Sequence, residues 1–160
     1  MRTPEPAIKP PSRLPWPPIL MAMTVGSGLA LGIIAGERLN GAFDNAALRA
    51  LGVVLVLAAL TIDIWCARAL TQRGTTILPH RAATSLVTEG PYGYSRHPIY
   101  IAHLALTLGI GLLLAAPFIM ALLPLLAGLQ KLSIEPEERH LQDKFGEDYR
   151  AYLARTPRWL

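Results

Sequence analysis

Four stretches of the chain are nearly unbroken runs of apolar side chains: about Ile19 to Gly36, Ala46 to Ala67, Ile99 to Ala116 and Phe118 to Ile134. Each approaches the roughly 20 residues that a helix needs to cross the hydrocarbon core of a bilayer, the last two being slightly short. Only Ala115-Ala116-Pro117 separates the third run from the fourth, which leaves room for a tight turn and requires an antiparallel hairpin. The pattern therefore predicts an all-α integral membrane protein with about four transmembrane helices.

Polar and proline-rich segments frame these runs. Pro4, Pro6, Pro10, Pro11, Pro15, Pro17 and Pro18 remove backbone donors and oppose helix formation, so residues 1–17 read as a disordered or extended tail and residues 18–160 as one domain. Arg2, Lys9 and Arg13 precede an apolar stretch as in a signal peptide, but the lead is long and no convincing cleavage site follows; an uncleaved first span is favoured. At the other end, Pro136 with Glu135, Glu137 and Glu138 resembles a helix start, with acidic side chains at the positive end of the dipole. Leu141, Phe145, Tyr149 and Tyr152 then recur at helical spacing as one apolar stripe. A C-terminal amphipathic helix, or pair of helices, on the membrane surface is expected, bent or broken at Gly146 and ended by Pro157.

Composition supports the membrane reading, because 52% hydrophobic and 16% charged residues fall outside ordinary soluble usage. The formal charge of +4 could suggest nucleic acid, but the basic residues are spread along the chain instead of massed in one run, and no nucleic-acid partner is expected. Membrane orientation accounts for them better. With four spans, Arg2, Lys9 and Arg13, then Arg68, Arg73, Arg81 and Arg96, then Lys131, Arg139, Lys144, Arg150, Arg155 and Arg158 all fall on one side, leaving Arg38 and Arg49 near the other. The positive-inside rule makes that side cytoplasmic and places both termini there. The single cysteine, Cys66, excludes an intrachain disulfide and a cysteine-based zinc cluster, and no metal site is expected.

The candidate chemistry gathers where residues 84–100, Thr-Ser-Leu-Val-Thr-Glu-Gly-Pro-Tyr-Gly-Tyr-Ser-Arg-His-Pro-Ile-Tyr, meet residues 98–130, which contain no Asp, Glu, Lys or Arg. A cationic His-Pro element at the mouth of a span is costly to bury, which suggests a ligand. Taken singly, the pieces have ordinary explanations: Glu137 and Glu138 as first-turn helix stabilisers, His97 as a loop cap, Tyr92 and Tyr100 as interfacial belt residues. Asp63 in the second span is either a buried carboxylate facing a site or an interfacial partner of Arg68. His103 in the third span either satisfies a helix–helix hydrogen bond or binds a ligand, and Gly109-Ile110-Gly111 reads as a close helix-packing point.

Together, Gly90-Pro91-Tyr92, Arg96-His97-Pro98-Ile99-Tyr100, the uncharged hairpin, Glu137-Glu138 with Leu141, and Phe145-Gly146-Glu147-Asp148-Tyr149-Arg150-Ala151-Tyr152 resemble the isoprenylcysteine carboxyl methyltransferase family and its relatives, the phospholipid N-methyltransferases. The resemblance covers roughly residues 70–160. It implies an integral membrane methyltransferase that uses S-adenosylmethionine, held at the cytoplasmic membrane boundary, and a lipophilic or small-molecule acceptor. It further implies that Thr84, Ser85, Leu86, Val87, Tyr92, Arg96, His97, Pro98, Ile99, Tyr100 and Glu137 line the cofactor pocket, with Glu138 beside them.

These residue types suit that cofactor. A glutamate can accept from its ammonium or ribose hydroxyls, His97 or Arg96 can hold its carboxylate, and the rings of Tyr92 and Tyr100 can pack on adenine or face the sulfonium. In-line methyl transfer depends mostly on positioning; an amine or hydroxyl acceptor also needs a base, for which His80, His97 or a glutamate are candidates, whereas a carboxylate does not. Gln130-Lys131-Leu132-Ser133-Ile134 stands where the eukaryotic carboxyl methyltransferases carry a substrate-associated arginine, and Ala102 replaces a frequent glycine, so a prenylated protein is not assumed. Two other readings are an NADPH-dependent membrane reductase of the sterol reductase type, whose motif layout is similar, and a non-enzymatic membrane scaffold.

Overall fold

In a computed structural model, which describes residues 16–36, 44–75 and 84–160, the chain forms α1 (Trp16–Ile34), α2 (Ala46–Gln72), α3 (Pro98–Leu113), α4 (Pro117–Ala121) and α5 (Leu123–Arg155). A 3₁₀ turn, Gly90–Gly93, precedes α3, and no strand occurs among the described residues. Most of the expected proline-rich tail, together with Arg38, His80 and Arg81, lies outside them. α1 starts two residues inside that expected tail. Pro17 and Pro18 fall in its first turn, where a missing N–H breaks no intrahelical bond.

α1 and α2 are long and apolar enough to cross a membrane, and α3 is a shorter apolar helix. Their large side chains point outward: Leu31, Ile33, Val54, Leu57 and Ile64 are all exposed. Such faces would be costly in water, at about 25 cal/mol per Å² of apolar surface, and are the normal condition of helices in lipid. The protein is a membrane protein whose helices are joined by backbone proximity more than by a large side-chain core.

Small residues make that proximity possible. Asn45 caps α2 by accepting from the Leu48 N–H at 2.8 Å, and Arg49 reaches across to donate to the Leu113 carbonyl at 3.2 Å, which fixes the start of α2 beside the end of α3. One turn on, a Cβ at Gly52 would stand 2.7 Å from Leu113 N and 2.8 Å from the Gly109 carbonyl, and one at Gly109 would stand 2.9 Å from the Gly52 carbonyl. The expected close-packing glycine is thus half of a reciprocal contact. α1 meets the hairpin in the same manner, since a Cβ at Gly28 would lie 2.8 Å from Ile119 Cα.

The expected tight turn follows α3: Ala115 adopts a φ of 50°, and Ala116 N–H returns to the Gly111 carbonyl at 2.8 Å. The last apolar run differs from its expected form at both ends. Pro124 lacks an N–H and its ring would strike the carbonyl four residues earlier, so α4 ends at Ala121 and α5 begins after Leu122. By contrast, α5 continues through Pro136 without a boundary, so the C-terminal segment is an extension of the last apolar helix and not a separately initiated one. An interior proline costs about 3 kcal/mol, and bonds made just beyond it by Glu137 and Glu138 oppose that cost. The break comes at Gly146, where φ of 51° and ψ of −118° leave the helical region.

Because the atoms facing Gly52 and Gly109 are backbone, Gly52→Ala and Gly109→Ala should each cost roughly 1–3 kcal/mol, as overpacking does. Thermal melts in detergent should show both variants lowered by several degrees, and Gly26→Ala, whose Cβ would meet nothing within 4 Å and which gains helix propensity, unchanged or raised.

Candidate functional site

The segment leading into α3 is shaped by glycine and proline. Gly90 has φ of +62°, a left-handed backbone that strains any side chain, and it opens the 3₁₀ turn with Pro91 next in it. Tyr94 and Ser95 N–H groups both close on the Pro91 carbonyl, and His97 follows as the residue that caps α3, with Pro98 in the first turn.

The last residues of the chain are stitched to this segment. Arg96 N–H donates to the Pro157 carbonyl at 3.0 Å, Ser95 Oγ donates to the Arg158 carbonyl at 3.1 Å, and Ser95 Oγ in turn accepts from His97 N–H at 3.2 Å. Tyr152, after the Gly146 break, donates its hydroxyl to the Tyr92 carbonyl at 2.7 Å. Ser95, His97, Tyr149, Tyr152 and Thr156 are all buried by this closure.

Glu138 sits at its centre. Arg96 Nη1 donates to its Oε1 at 2.8 Å, His97 Nε2 lies 3.2 Å from the same oxygen, and Arg158 makes a two-pronged contact, Nε to Oε1 at 3.1 Å and Nη2 to Oε2. Burial pushes the Glu138 carboxyl up, but hydrogen bonds from His97 and Arg158 and the charges of His97 and Arg96 outweigh it and hold the group at about 2. Burial, reinforced by the Glu138 charge, pushes the adjacent Tyr149 hydroxyl up to about 12.

Glu137 is the less committed carboxylate. Its Oε2 accepts from the Tyr100 hydroxyl at 3.0 Å, and the other oxygen enters no hydrogen bond among the described residues. The His97 ring stands edge-on to Tyr100 at 5.4 Å between centroids, so the two glutamates, Arg96, His97 and Tyr100 make one continuous polar group. Arg96 Nε is buried and has no partner among the described residues. Tyr92 is close enough to feel the Glu137 charge, and burial raises its hydroxyl well above the usual range.

Other expected site residues stand apart. Thr84 Oγ1 donates to the Gly74 carbonyl and Ser85 Oγ to the Arg73 carbonyl, both at 2.9 Å, which ties them to the end of α2. Half-buried Leu86 makes no hydrogen bond to the glutamates, and Val87 lines a 250 Å³ cleft with Trp65, Arg68 and Glu89. Pro98 is buried and Ile99 half-buried in the first turn of α3. A second cleft, of 360 Å³, opens beside Glu138 between Glu135, Arg139, Tyr149 and Arg158, a size within the range of small-molecule sites. Neither cleft is lined by Glu137 or Tyr100, whose bond is made on the side of α5 that faces α3. The sequence gives Arg158 and Ser95 no site role; Arg158 reaches Glu138 twenty residues away and Ser95 the Arg158 carbonyl sixty-three residues away, contacts that no local spacing displays.

Residues 47–148 match a family model described as phospholipid methyltransferase. The chain is 28% identical over 134 residues, 83% of its length, to the nickel-cobalt-cadmium resistance protein NccN of Alcaligenes xylosoxydans xylosoxydans. It is 32% identical over 130 residues, 81% of its length, to the cobalt-zinc-cadmium resistance protein CzcN of Cupriavidus metallidurans. The chain spans 59% and 56% of those two relatives. No solved structure matches significantly.

The depressed carboxyl of Glu138 links stability to pH. Its folded value, about 2, lies below the ordinary 4.5, so its contribution is complete above about pH 5 and is lost as pH falls through about 2. Melting temperatures of the parent should therefore fall across that window. Glu138→Gln should start lower at neutral pH, because Arg96, His97 and Arg158 lose their charged partner, and should show a shallower decline on acidification.

Proposed function

The chain belongs to the phospholipid methyltransferase family, and from that premise we propose that it transfers a methyl group from S-adenosylmethionine to a lipophilic acceptor at the membrane boundary. The observation that carries this reading is the union of Arg96, His97 and Tyr100 with the Glu137–Glu138 pair from α5. Proximity of oppositely charged and unused polar groups suits a ligand that is itself a zwitterion with a cationic sulfur.

The residues fit that ligand at specific atoms. The free oxygen of Glu137 can accept from the ammonium or a ribose hydroxyl, and the unpartnered Nε of Arg96 can donate to the carboxylate. Glu138 acts at one remove: by holding Arg96, His97 and Arg158 together it orients the guanidinium and imidazole toward Glu137 and Tyr100. The Tyr100 and Tyr92 rings supply apolar faces that exclude water from the same corner. When bound, S-adenosylmethionine supplies the electrophilic methyl; the chain supplies position, charge and a dry environment, which are the main requirements of an in-line displacement.

Topology belongs to the same proposal. Four crossings, the last supplied jointly by α4 and the first part of α5, place both termini, the Arg96–His97 segment and Glu137–Glu138 on the cytoplasmic side, where thirteen of the fifteen basic residues lie. The acceptor is expected from the lipid phase, with its reactive head a carboxylate, an amine or a hydroxyl.

Purified protein should bind S-adenosylhomocysteine, and His97→Ala and Glu137→Ala should each weaken binding at least tenfold, about 1.4 kcal/mol, with helical content retained. Binding of NADPH in place of S-adenosylhomocysteine would overturn the methyltransferase reading in favour of a membrane reductase, and parent-like affinity in both variants would overturn the site assignment.

A further inference from the structure

Gly146 divides α5 into a part anchored against α3 and a terminal part that returns over the site. Its φ of 51° suits glycine alone, and a Cβ built there would meet nothing within 4 Å, so the chain is open on that side of the break. Beyond it, residues 147–158 present charge outward and aromatic rings inward: Glu147, Asp148, Arg150 and Arg155 are exposed, whereas Tyr149, Tyr152 and Thr156 are buried.

The inner side of this segment is held by polar ties. The Tyr152 hydroxyl donates to the Tyr92 carbonyl at 2.7 Å, Arg96 N–H donates to the Pro157 carbonyl at 3.0 Å, Ser95 Oγ donates to the Arg158 carbonyl at 3.1 Å, and the Arg158 guanidinium grips Glu138. The large apolar surface buried with them is that of Tyr149 and Tyr152, whose rings stand 6.0 Å apart. A segment held mainly by polar ties to a body fixed by close backbone packing is the part that opens at lowest free energy. What it covers is the site: Ser95 is 1% exposed, His97 3% and Tyr100 5%. A ligand as large as a nucleoside joined to an amino acid reaches side chains so enclosed only after something moves, and among the described elements this segment alone combines a glycine hinge with polar fastenings.

We propose that residues 147–158 form a strap hinged at Gly146, that Arg158 is its latch, and that release of the strap is the step that admits and discharges the cofactor. The proposal rests on the methyltransferase reading above and adds to it how the site is entered. Arg158 suits this role because its two ends act on different halves of the site. Its side chain holds Glu138 on α5, while its carbonyl holds Ser95, whose Oγ accepts from His97 N–H. Docking at one residue therefore sets the Glu138 carboxylate and the His97 backbone together, and undocking frees both at once. The two-pronged, charge-assisted contact is strong and exacting when closed. The Arg158 side chain nevertheless keeps 35% of its surface open, so water competes for the guanidinium at the moment of release. Arg158 acts through Glu138 and Ser95, which makes it a positioning residue.

Residue-resolved hydrogen–deuterium exchange of the full chain in phosphatidylcholine nanodiscs reads the latch, because the Arg96 amide loses its bond to the Pro157 carbonyl whenever the strap lifts. Arg158→Gln should raise Arg96 exchange at least tenfold while α3 amides stay within twofold of the parent, and S-adenosylhomocysteine should slow Arg96 exchange in the parent at least threefold. Gly146→Ala, which strains the backbone of the docked strap, should act in the same direction as Arg158→Gln. Both variants should speed association as well as dissociation of S-adenosylhomocysteine at least fivefold, with Arg158→Lys between them and the parent; loss of a mere contact would speed dissociation alone. Arg150→Gln, which removes only the exposed pair with Glu147, should match the parent throughout. If Arg158→Gln loses helical content, Ser95→Ala reads the same rates. Arg96 exchange unchanged in the variants, or association no faster than in the parent, overturns the proposal. A parent that binds no S-adenosylhomocysteine, with Arg96 exchange still raised in Arg158→Gln and Gly146→Ala, would sink the methyltransferase reading and leave the hinged strap standing.

Discussion

One carboxylate, Glu138, holds two guanidinium groups and an imidazole that come from both ends of the functional half of the chain. Arg96 and His97 precede α3, and Arg158 lies beyond the last helix. Taking a carboxylate out of water is costly, and only a close set of charged donors offsets it; removal of one partner would leave the others uncompensated. The arrangement is therefore all-or-none in character. It fixes where α5 must end, where α3 must begin and how the chain terminus returns, and Glu137, one residue earlier, is presented to Tyr100 as a result.

That constraint explains the behaviour of α5. A proline at 136 ordinarily marks a helix boundary, yet the helix continues through it and breaks ten residues later at Gly146. The residues just beyond Pro136 are those whose bonds anchor the helix to α3, so tertiary interactions outweigh local preference. After Gly146 the chain can change direction, and Tyr152 reaches the Tyr92 carbonyl. The reciprocal glycine contact of α2 with α3 works at the opposite end of the layer, and the two together hold α3 between α2 and α5.

The polar groups then fall into two levels. At the helix mouths Glu138 is matched by Arg96 and Arg158, while Glu137 Oε1 and Arg96 Nε have no partner among the described residues. Deeper, one oxygen of Asp63, one ring nitrogen of His103 and both amide atoms of Gln130 have no hydrogen-bond partner among the described residues.

Much of this was legible in the chain itself. Long apolar runs are costly outside a bilayer, which made the helical membrane class evident; the short Ala115–Pro117 link compelled a hairpin, and glycine chemistry located the Gly146 break. The order of His97, Tyr100, Glu137 and Glu138 also named the side chains that meet. What no local pattern could supply was the division of labour between them. Two adjacent glutamates look alike in sequence, yet they point to different neighbours because successive residues on a helix diverge by about 100°. The same geometry hid Arg158, whose partner is twenty residues away, and Gln130, whose face is set only by the Tyr100–Glu137 bond. Composition and periodicity determined which helices form and which residues carry charge; the crossing of those helices decided which charges are neutralised and which polar atoms stay without a partner among the described residues, because that depends on distances across the chain.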